Sequence, residues 1–216
     1  SSLPGAGTVT ATNGSFSDSS TVIVLAVAID HILVVPDPST VIVGSTTTFT
    51  AIAFDALNSV VSGVMFVWTT TVGAITSGGV LTAQTTPAVG TVTATNGTHS
   101  YSAVVNVVVG PVHHIVVLPN PWSMTVGTTR QFTATAYDVY SNIISGASFT
   151  WTTNVGAVSS AGMFTAQVTP GTGTVTATSG SVAGTANAQV VIGAVDHIAV
   201  APDPISLVAG SFQQFT

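Results

Sequence analysis

The stretch GTVTATNG occupies residues 7–14, recurs letter for letter at residues 90–97, and returns as GTVTATSG at residues 173–180. Within it Val and Ala alternate with Thr. Alternation of period two marks a strand with one buried side and one facing solvent. The closing Asn-Gly or Ser-Gly is turn punctuation. The phrase sits in a longer register of 83 residues, kept by His31, His114 and His197 and by Pro38, Pro121 and Pro204. Gly44, Gly127 and Gly210 keep it too, as do Phe49, Phe132 and Phe215, Trp68 and Trp151, and Pro4, Pro87 and Pro170. No insertion interrupts it. A unit of this length exceeds the roughly 20–50 residues of solenoid repeats and approaches the roughly 100 residues of a small β-sandwich. The expected organisation is therefore the end of one domain (1–29), two complete domains (30–112 and 113–195) and the start of another (196–216).

Inside the second complete repeat, Phe132, Ala134 and Ala136 share one side of a strand, and Thr133, Thr135 and Tyr137 the other. Phe149 and Trp151 fall together, as do Val175 and Ala177. Turn signals separate the runs: Asn120-Pro121, Ser145-Gly146, Asn154-Val155-Gly156, Pro170-Gly171 and Ser179-Gly180. Nothing shows a 3.6-residue period with caps. The pattern predicts an all-β chain with about seven short strands per repeat, the spacing of a sandwich. They cover 113–118, 122–127, 130–138, 147–153, 155–159, 162–168 read together with 172–178, and 184–192. The expected cores centre on Trp68 and Trp151 with Phe66 and Phe149, and with Phe49 and Phe132 beside them.

The segments PNPWSMTVGTTRQFTATAYD (119–138) and FTWTTNVGAVSSAGMFTAQVTPGTGTVTATSG (149–180) carry a family likeness. The matching features are the G-x-x-x-Q-F-T-A strand, the F-x-W pair, the G-x-x-T-A step and the G-T-x-T-V-T-A-T-S-G strand. On these the chain resembles tandem bacterial immunoglobulin-like domains of group 2, the invasin/intimin-associated kind. The resemblance covers the whole chain. It implies a structural module of the sort found in adhesins, surface-layer proteins and phage structural proteins, or attached to enzymes, with no common active site. The chain departs from the family in being almost uncharged.

That departure is the strongest compositional feature. Of 216 residues 4% are charged, against roughly 25% in an average globular protein. Arg130 is the only strong base, and all seven acids are Asp. A basic face to neutralise phosphates is missing, which excludes nucleic acid as a partner. A polybasic membrane patch is missing likewise. The mean hydropathy of +0.65 argues against disorder. No apolar run approaches the roughly 20 residues of a membrane-spanning helix; the longest is VIVLAVAI at 22–29. The absence of cysteine removes disulfides and thiolate metal sites. The Ser/Thr richness and the sequons at Asn13 and Asn96 point to an extracellular, cell-surface setting. Both sequons coincide with hairpin-type Asn-Gly turns, so a glycan and a plain turn are alternative readings.

Reactive constellations are sparse. Asp30-His31 and Asp196-His197 suggest a metal or acid–base pair, but the middle repeat has His113-His114 there, and neighbours on a strand point to opposite faces. A structural junction role is the expectation, with no metal. Asp37 and Asp203 stand in Pro-Asp-Pro, where an Asx turn explains them as well as calcium does. Asp55 and Asp138 read as turn formers. No catalytic triad, carboxylate pair or phosphate loop is visible, and a catalytic residue would not be written once per repeat; the expectation is a non-enzymatic chain without a cofactor.

Soluble surfaces usually carry about 25–35% charged residues. Here the outward faces are Thr ladders with apolar interruptions, such as Thr50, Ile52 and Phe54. Apolar patches of this kind mark interaction sites, so the sequence predicts self-association into a homopolymer: a filament, surface layer or adhesin stalk. The alternative is a carbohydrate- or receptor-binding module with glycans as partners. Trp122, the one Trp without a repeat counterpart, is its only aromatic platform, and inter-domain packing is the competing role. Neither terminal part could bury its apolar face alone. The expectation is a window on a longer repetitive chain. Strand donation between subunits is the alternative, although the two parts joined would lack the strands equivalent to 51–83.

Overall fold

The computed structural model describes residues 5–24, 27–201 and 203–216. Among them every regular element is a strand, and no helix is long and apolar enough to cross a membrane. The chain divides into two compact units. One gathers the chain up to Pro111 together with Asp138–Asn142; the other comprises Val112–Tyr137 and Ile143–Thr216.

The first unit opens with β1 (Gly5–Asn13) and β2 (Phe16–Val24), an antiparallel hairpin. Nine strands follow: β3 (His31–Val35), β4 (Ser39–Ile42), β5 (Thr46–Thr48), β6 (Thr50–Phe54), β7 (Val67–Thr70), β8 (Gly73–Ile75), β9 (Val80–Ala83), β10 (Ala88–Asn96) and β11 (His99–Val108). One sheet has the order β4-β11-β10-β7, with β4 parallel to β11. The opposing layer is a pair, β3-β6, and a triplet, β5-β9-β8. Ile32, Val34, Phe49, Leu81, Val92, Ala94, Ala103 and Val105 meet between the layers as one buried cluster.

The second unit repeats this plan. Its strands are β12 (His114–Leu118), β13 (Trp122–Thr125), β14 (Thr129–Gln131), β15 (Thr133–Tyr137), β16 (Thr150–Thr153), β17 (Gly156–Val158), β18 (Met163–Ala166), β19 (Gly171–Ser179) and β20 (Val182–Val191). The sheet β13-β20-β19-β16 faces the pair β12-β15 and the triplet β14-β18-β17. Ile115, Val117, Phe132, Phe164, Val175, Ala177, Ala186 and Val190 fill the space between.

Each repeat therefore holds nine strands where the alternation predicts about seven. The expected 130–138 strand is cut at Phe132. Its first half pairs with β18, and its second half with β12. Phe132 drops its ring into the core while its N–H donates to the Gly162 carbonyl at 2.9 Å. The backbone thus changes partner without breaking the inside–outside alternation. The segments 162–168 and 172–178 are separate strands in different sheets. The expected core is also re-centred. Phe49, Phe132 and Phe164 are the fully buried phenylalanines, whereas Trp68, Trp151, Phe66 and Phe149 are half-buried at its margin.

The hairpin turns have one feature the Asn-Gly reading does not anticipate. Asn13 pairs with Phe16, and Asn96 with His99. The two loop residues are therefore Gly14-Ser15 and Gly97-Thr98. Gly14 and Gly97 take positive φ, 61° and 59°, and the residue after each does not. Positive φ at the first loop position alone is the type II′ pattern, which matches the twist of the flanking strands.

Candidate interaction surface

The outward side of β10 and β11 presents cross-strand pairs in strict register: Val89 with Asn106, Thr91 with Val104, Thr93 with Ser102, Thr95 with Ser100. The hydroxyls of Thr93 and Ser102 share a hydrogen bond of 2.8 Å. Val67 and Thr69 of β7 extend the rows on one side, and Thr40 and Ile42 of β4 on the other. In the second unit the corresponding pairs are Thr172 with Gln189, Thr174 with Asn187, Thr176 with Thr185 and Thr178 with Ala183. None of these side chains is charged. Val67, Val89, Ile42 and Val104 stand exposed on the first face. Thr favours this arrangement because its β-branch suits an extended backbone and its hydroxyl satisfies the surface.

The junction histidines have a packing role. His31 stacks on Phe54 at 5.1 Å and His114 on Tyr137 at 5.0 Å, each pair being directly opposed across β3–β6 or β12–β15. The imidazole covers an aromatic ring on the outward side, so Phe54 is half-buried rather than open. His113 meets His114 edge-on at 5.6 Å. The alternation argument fails for Asp30, which precedes β3: its Oδ2 lies 3.0 Å from His31 Nδ1. Among the described residues no three His or Asp side chains gather as metal ligands.

Asp37 does not form a local turn. Its Oδ1 accepts from Val104 N–H and its Oδ2 from the Tyr101 hydroxyl, both at 2.8 Å. It pins the loop between β3 and β4 to β11, and the carboxylate raises the Tyr101 pKa above its ordinary value, first through that hydrogen bond and then through its charge. Asn120 serves the second unit the same way, accepting from Asn187 N–H at 2.9 Å.

Asp55 and Asp138 both cap five-residue loops. Asp55 Oδ1 accepts from Leu57 and Ser59 N–H, and Asp138 Oδ1 from Tyr140 and Asn142 N–H, all at 2.9 Å. Asp138 goes further: it is fully buried, and its Oδ2 accepts from Gly110 N–H at 3.1 Å and from Asn142 Nδ2 at 2.9 Å. Asn142 Nδ2 also donates to the Thr85 carbonyl at 2.8 Å. Burial alone would raise the carboxyl pKa, but the hydrogen bonds from Asn142, Gly110 and Tyr140 outweigh it and hold it at about 2, below the ordinary 3.8. A depressed carboxyl stabilises above its unfolded pKa and loses that stabilisation as pH falls through the folded one. The Gly110 amide should thus stay protected from hydrogen exchange at pH 4–7 and lose protection as pH falls toward about 2. In Asp138→Ala it should exchange freely across the whole range. Protection unchanged in that variant would refute the anchor.

No protein-family model matches the chain, and no curated protein matches it in sequence. Solved structures do match. Invasin, a bacterial integrin-binding protein, superposes with a TM-score of 0.62 at 17% identity, over 88% of this chain and 46% of that one. The Escherichia coli adhesin FdeC gives 0.52 at 19% identity, over 87% of this chain and 74% of that one. The surface-layer protein SbsC, domains 1–6, gives 0.39 at 20% identity, over 88% and 32%. The fold is that of immunoglobulin-like domains in tandem. The chain spans about a third of the SbsC structure and under half of invasin.

In the second immunoglobulin-like unit Trp122 is not an open platform. It packs against the core, and the guanidinium of Arg130 lies over its ring, 4.1 Å from the centroid. Trp122 and Arg130 each lack a like residue at the repeat-equivalent positions, and the two touch each other, a pairing that the sequence alone does not connect. Trp122 Nε1 is buried without a partner. Beside it runs an open groove of about 520 Å³ lined by Pro121, Thr172, Thr174, Asn187 and Gln189. The sequons differ in their surroundings. Asn13 is exposed, whereas Asn96 is half-buried and its Nδ2 donates to the Met65 carbonyl at 2.7 Å.

Proposed function

We propose that this chain is a structural module of an extracellular filament, surface layer or adhesin stalk, built from group 2 bacterial immunoglobulin-like domains at 30–112 and 113–195. Its mechanism is mechanical, with copies associating laterally through the outward faces of the two four-stranded sheets. The observation that carries this reading is that those faces hold no charged side chain over four strands each. Water-facing sheets normally carry Lys and Glu, which keep neighbours apart. Thr rows with interspersed Val and Ile leave little repulsion to overcome and little that salt can screen. Adhesin and surface-layer proteins of the same fold make such a role familiar for it. Asn13, open at a hairpin turn, is the better placed of the two glycan acceptors; Asn96 would first have to give up its bond to Met65.

Sedimentation and negative-stain microscopy across a concentration series test this. The unaltered chain should form laterally ordered assemblies that persist in high salt. Thr93→Lys with Thr176→Lys places one charge on each face and should disperse them without unfolding the sandwiches. A chain that stays monomeric at high concentration, or assemblies indifferent to both charges, would overturn the reading.

A further inference from the structure

The outward faces of the two four-stranded sheets share a register but not a chemistry. On the first, Ile42 of β4 lies opposite Val108 of β11. Val104 is two residues short of Asn106 on β11, and Val89 of β10 stands opposite Asn106. Val89 is thus diagonal to both Val104 and Val108, at the roughly 7–8 Å of cross-strand diagonals. The four make one patch, exposed by 47% at Ile42, 75% at Val89, 42% at Val104 and 37% at Val108. One repeat later the same positions hold Thr125, Thr172, Asn187 and Val191, so three of the four have turned polar. Val67, also exposed on the first face, becomes Thr150. The two sheets have the same strand order. The fold therefore does not require apolar side chains at these places.

The chemistry of the two faces selects what covers the patch. Two apolar faces shed water together when they meet. Set against the second face, the patch would press on Asn187 and Gln189, which line its groove, and leave those amides without partners, which is unfavourable. The first face carries a single amide, Asn106. Across a two-fold axis it can meet its own copy, because an amide both donates and accepts. The size of the face fits the same partner. β10 and β11 are paired over nine residues. At about 3.3 Å per residue and 4.8 Å between strands, a four-stranded face of that length covers on the order of 500 Å². Two such faces bury about 1,000 Å² together, which just reaches the size of a specific interface.

We infer that association begins with a two-fold pair, in which the β4-β11-β10-β7 face of one copy packs on the same face of a second copy. Ile42, Val89, Val104 and Val108 lie at the centre of the contact. The inference rests on the lateral reading in taking a sheet face as the contact, and it adds which face acts first and with what symmetry. A contact between like patches closes on itself. The pair therefore leaves the β13-β20-β19-β16 face of each copy outward, to join at higher concentration.

The repeat supplies a variant that the fold accepts. Val89→Thr with Val104→Asn gives the first face the residues that the second already carries. In a sedimentation series the unaltered chain should pass from 21.5 kDa to twice that mass before any larger species forms. The double variant should need at least about tenfold more chain to pair, with its urea midpoint unchanged. Thr93→Lys alone should abolish the pair. Thr176→Lys alone should leave the pair intact and remove the larger species. A double variant that pairs as readily as the unaltered chain would overturn the inference. So would a pair weakened as much by Thr176→Lys as by Thr93→Lys, although the lateral reading would then stand. A pair with the expected sensitivities that never grows larger would uphold the inference and sink the assembly reading. A chain monomeric throughout would sink both.

Discussion

Phe132→Ala should cost the second unit about 3–5 kcal/mol, the range for emptying a fully buried aromatic site. Phe132 is 1% exposed, meets Phe164 edge-to-face at 5.8 Å, and stands where β14 gives way to β15. Its ring fills the space between the sheet β13-β20-β19-β16 and the layer of β12-β15 and β14-β18-β17, so removing it leaves a void that these rigid ladders cannot close. A stability of roughly 5–15 kcal/mol is usual for a domain, so this loss should nearly abolish cooperative folding of the unit. Urea unfolding read by Trp122 and Trp151 in a Trp68→Phe background isolates the effect. Phe132→Leu, which nearly conserves volume, should cost under about 1.5 kcal/mol. The repeat supplies a natural comparison. Phe49 sits in the equivalent place with Leu81 where Phe164 stands. Phe49→Ala should therefore cost the first unit slightly less, by the roughly 0.5–1.5 kcal/mol of an aromatic pair. A loss below about 1 kcal/mol at Phe132 would show that the ladders do collapse onto the gap.

The same position shows where the sequence stops being legible. Alternation assigns Phe132, Ala134 and Ala136 to the inside, and they are inside. Alternation is blind to which strand a segment pairs with, so the change of partner at Phe132 leaves no mark in it. Long-range partners are hidden for the same reason. Asp37 with Tyr101, and His31 with Phe54, depend on registers that only the folded sheets define. Asp138 is the sharpest case. Asp55 and Asp138 read alike and cap like loops, yet only Asp138 is fully buried, where the Gly110 N–H and the Asn142 side chain, which stands in place of Ser59, supply extra donors. The candidate surface, by contrast, is plain in the letters. Period two alone sorts Thr91, Thr93 and Thr95 onto one side, and the missing charges are a matter of counting. Trp122 stands out in the letters through its lack of a counterpart. Its cover by Arg130 depends on β13 and β14 being brought together by the sandwich.

Gly156→Ala should be the most damaging single methyl in the second unit. Gly156 opens β17 at φ 146°, a backbone conformation that side chains resist at a cost of about 1–3 kcal/mol. A Cβ there would also run into the Thr165 carbonyl oxygen and crowd Gln167 N at 3.0 Å. Both are backbone atoms of the facing strand and its exit, so no side-chain rotation relieves the contact; β17 must move off β18, adding about 1–3 kcal/mol of overpacking. The expected loss is on the order of 2–5 kcal/mol from the two causes together, seen as a lowered unfolding midpoint with the fluorescence of Trp122 and Trp151. Gly146→Ala separates them. Gly146 has φ 77° and open space where a methyl would stand, so it should show the backbone part alone, about 1–2 kcal/mol. Gly73 repeats the Gly156 geometry at φ 144° against the Thr82 carbonyl, so Gly73→Ala should damage the first unit as much. Gly156→Ala no worse than Gly146→Ala would mean that the β17–β18 approach is looser than the fold requires.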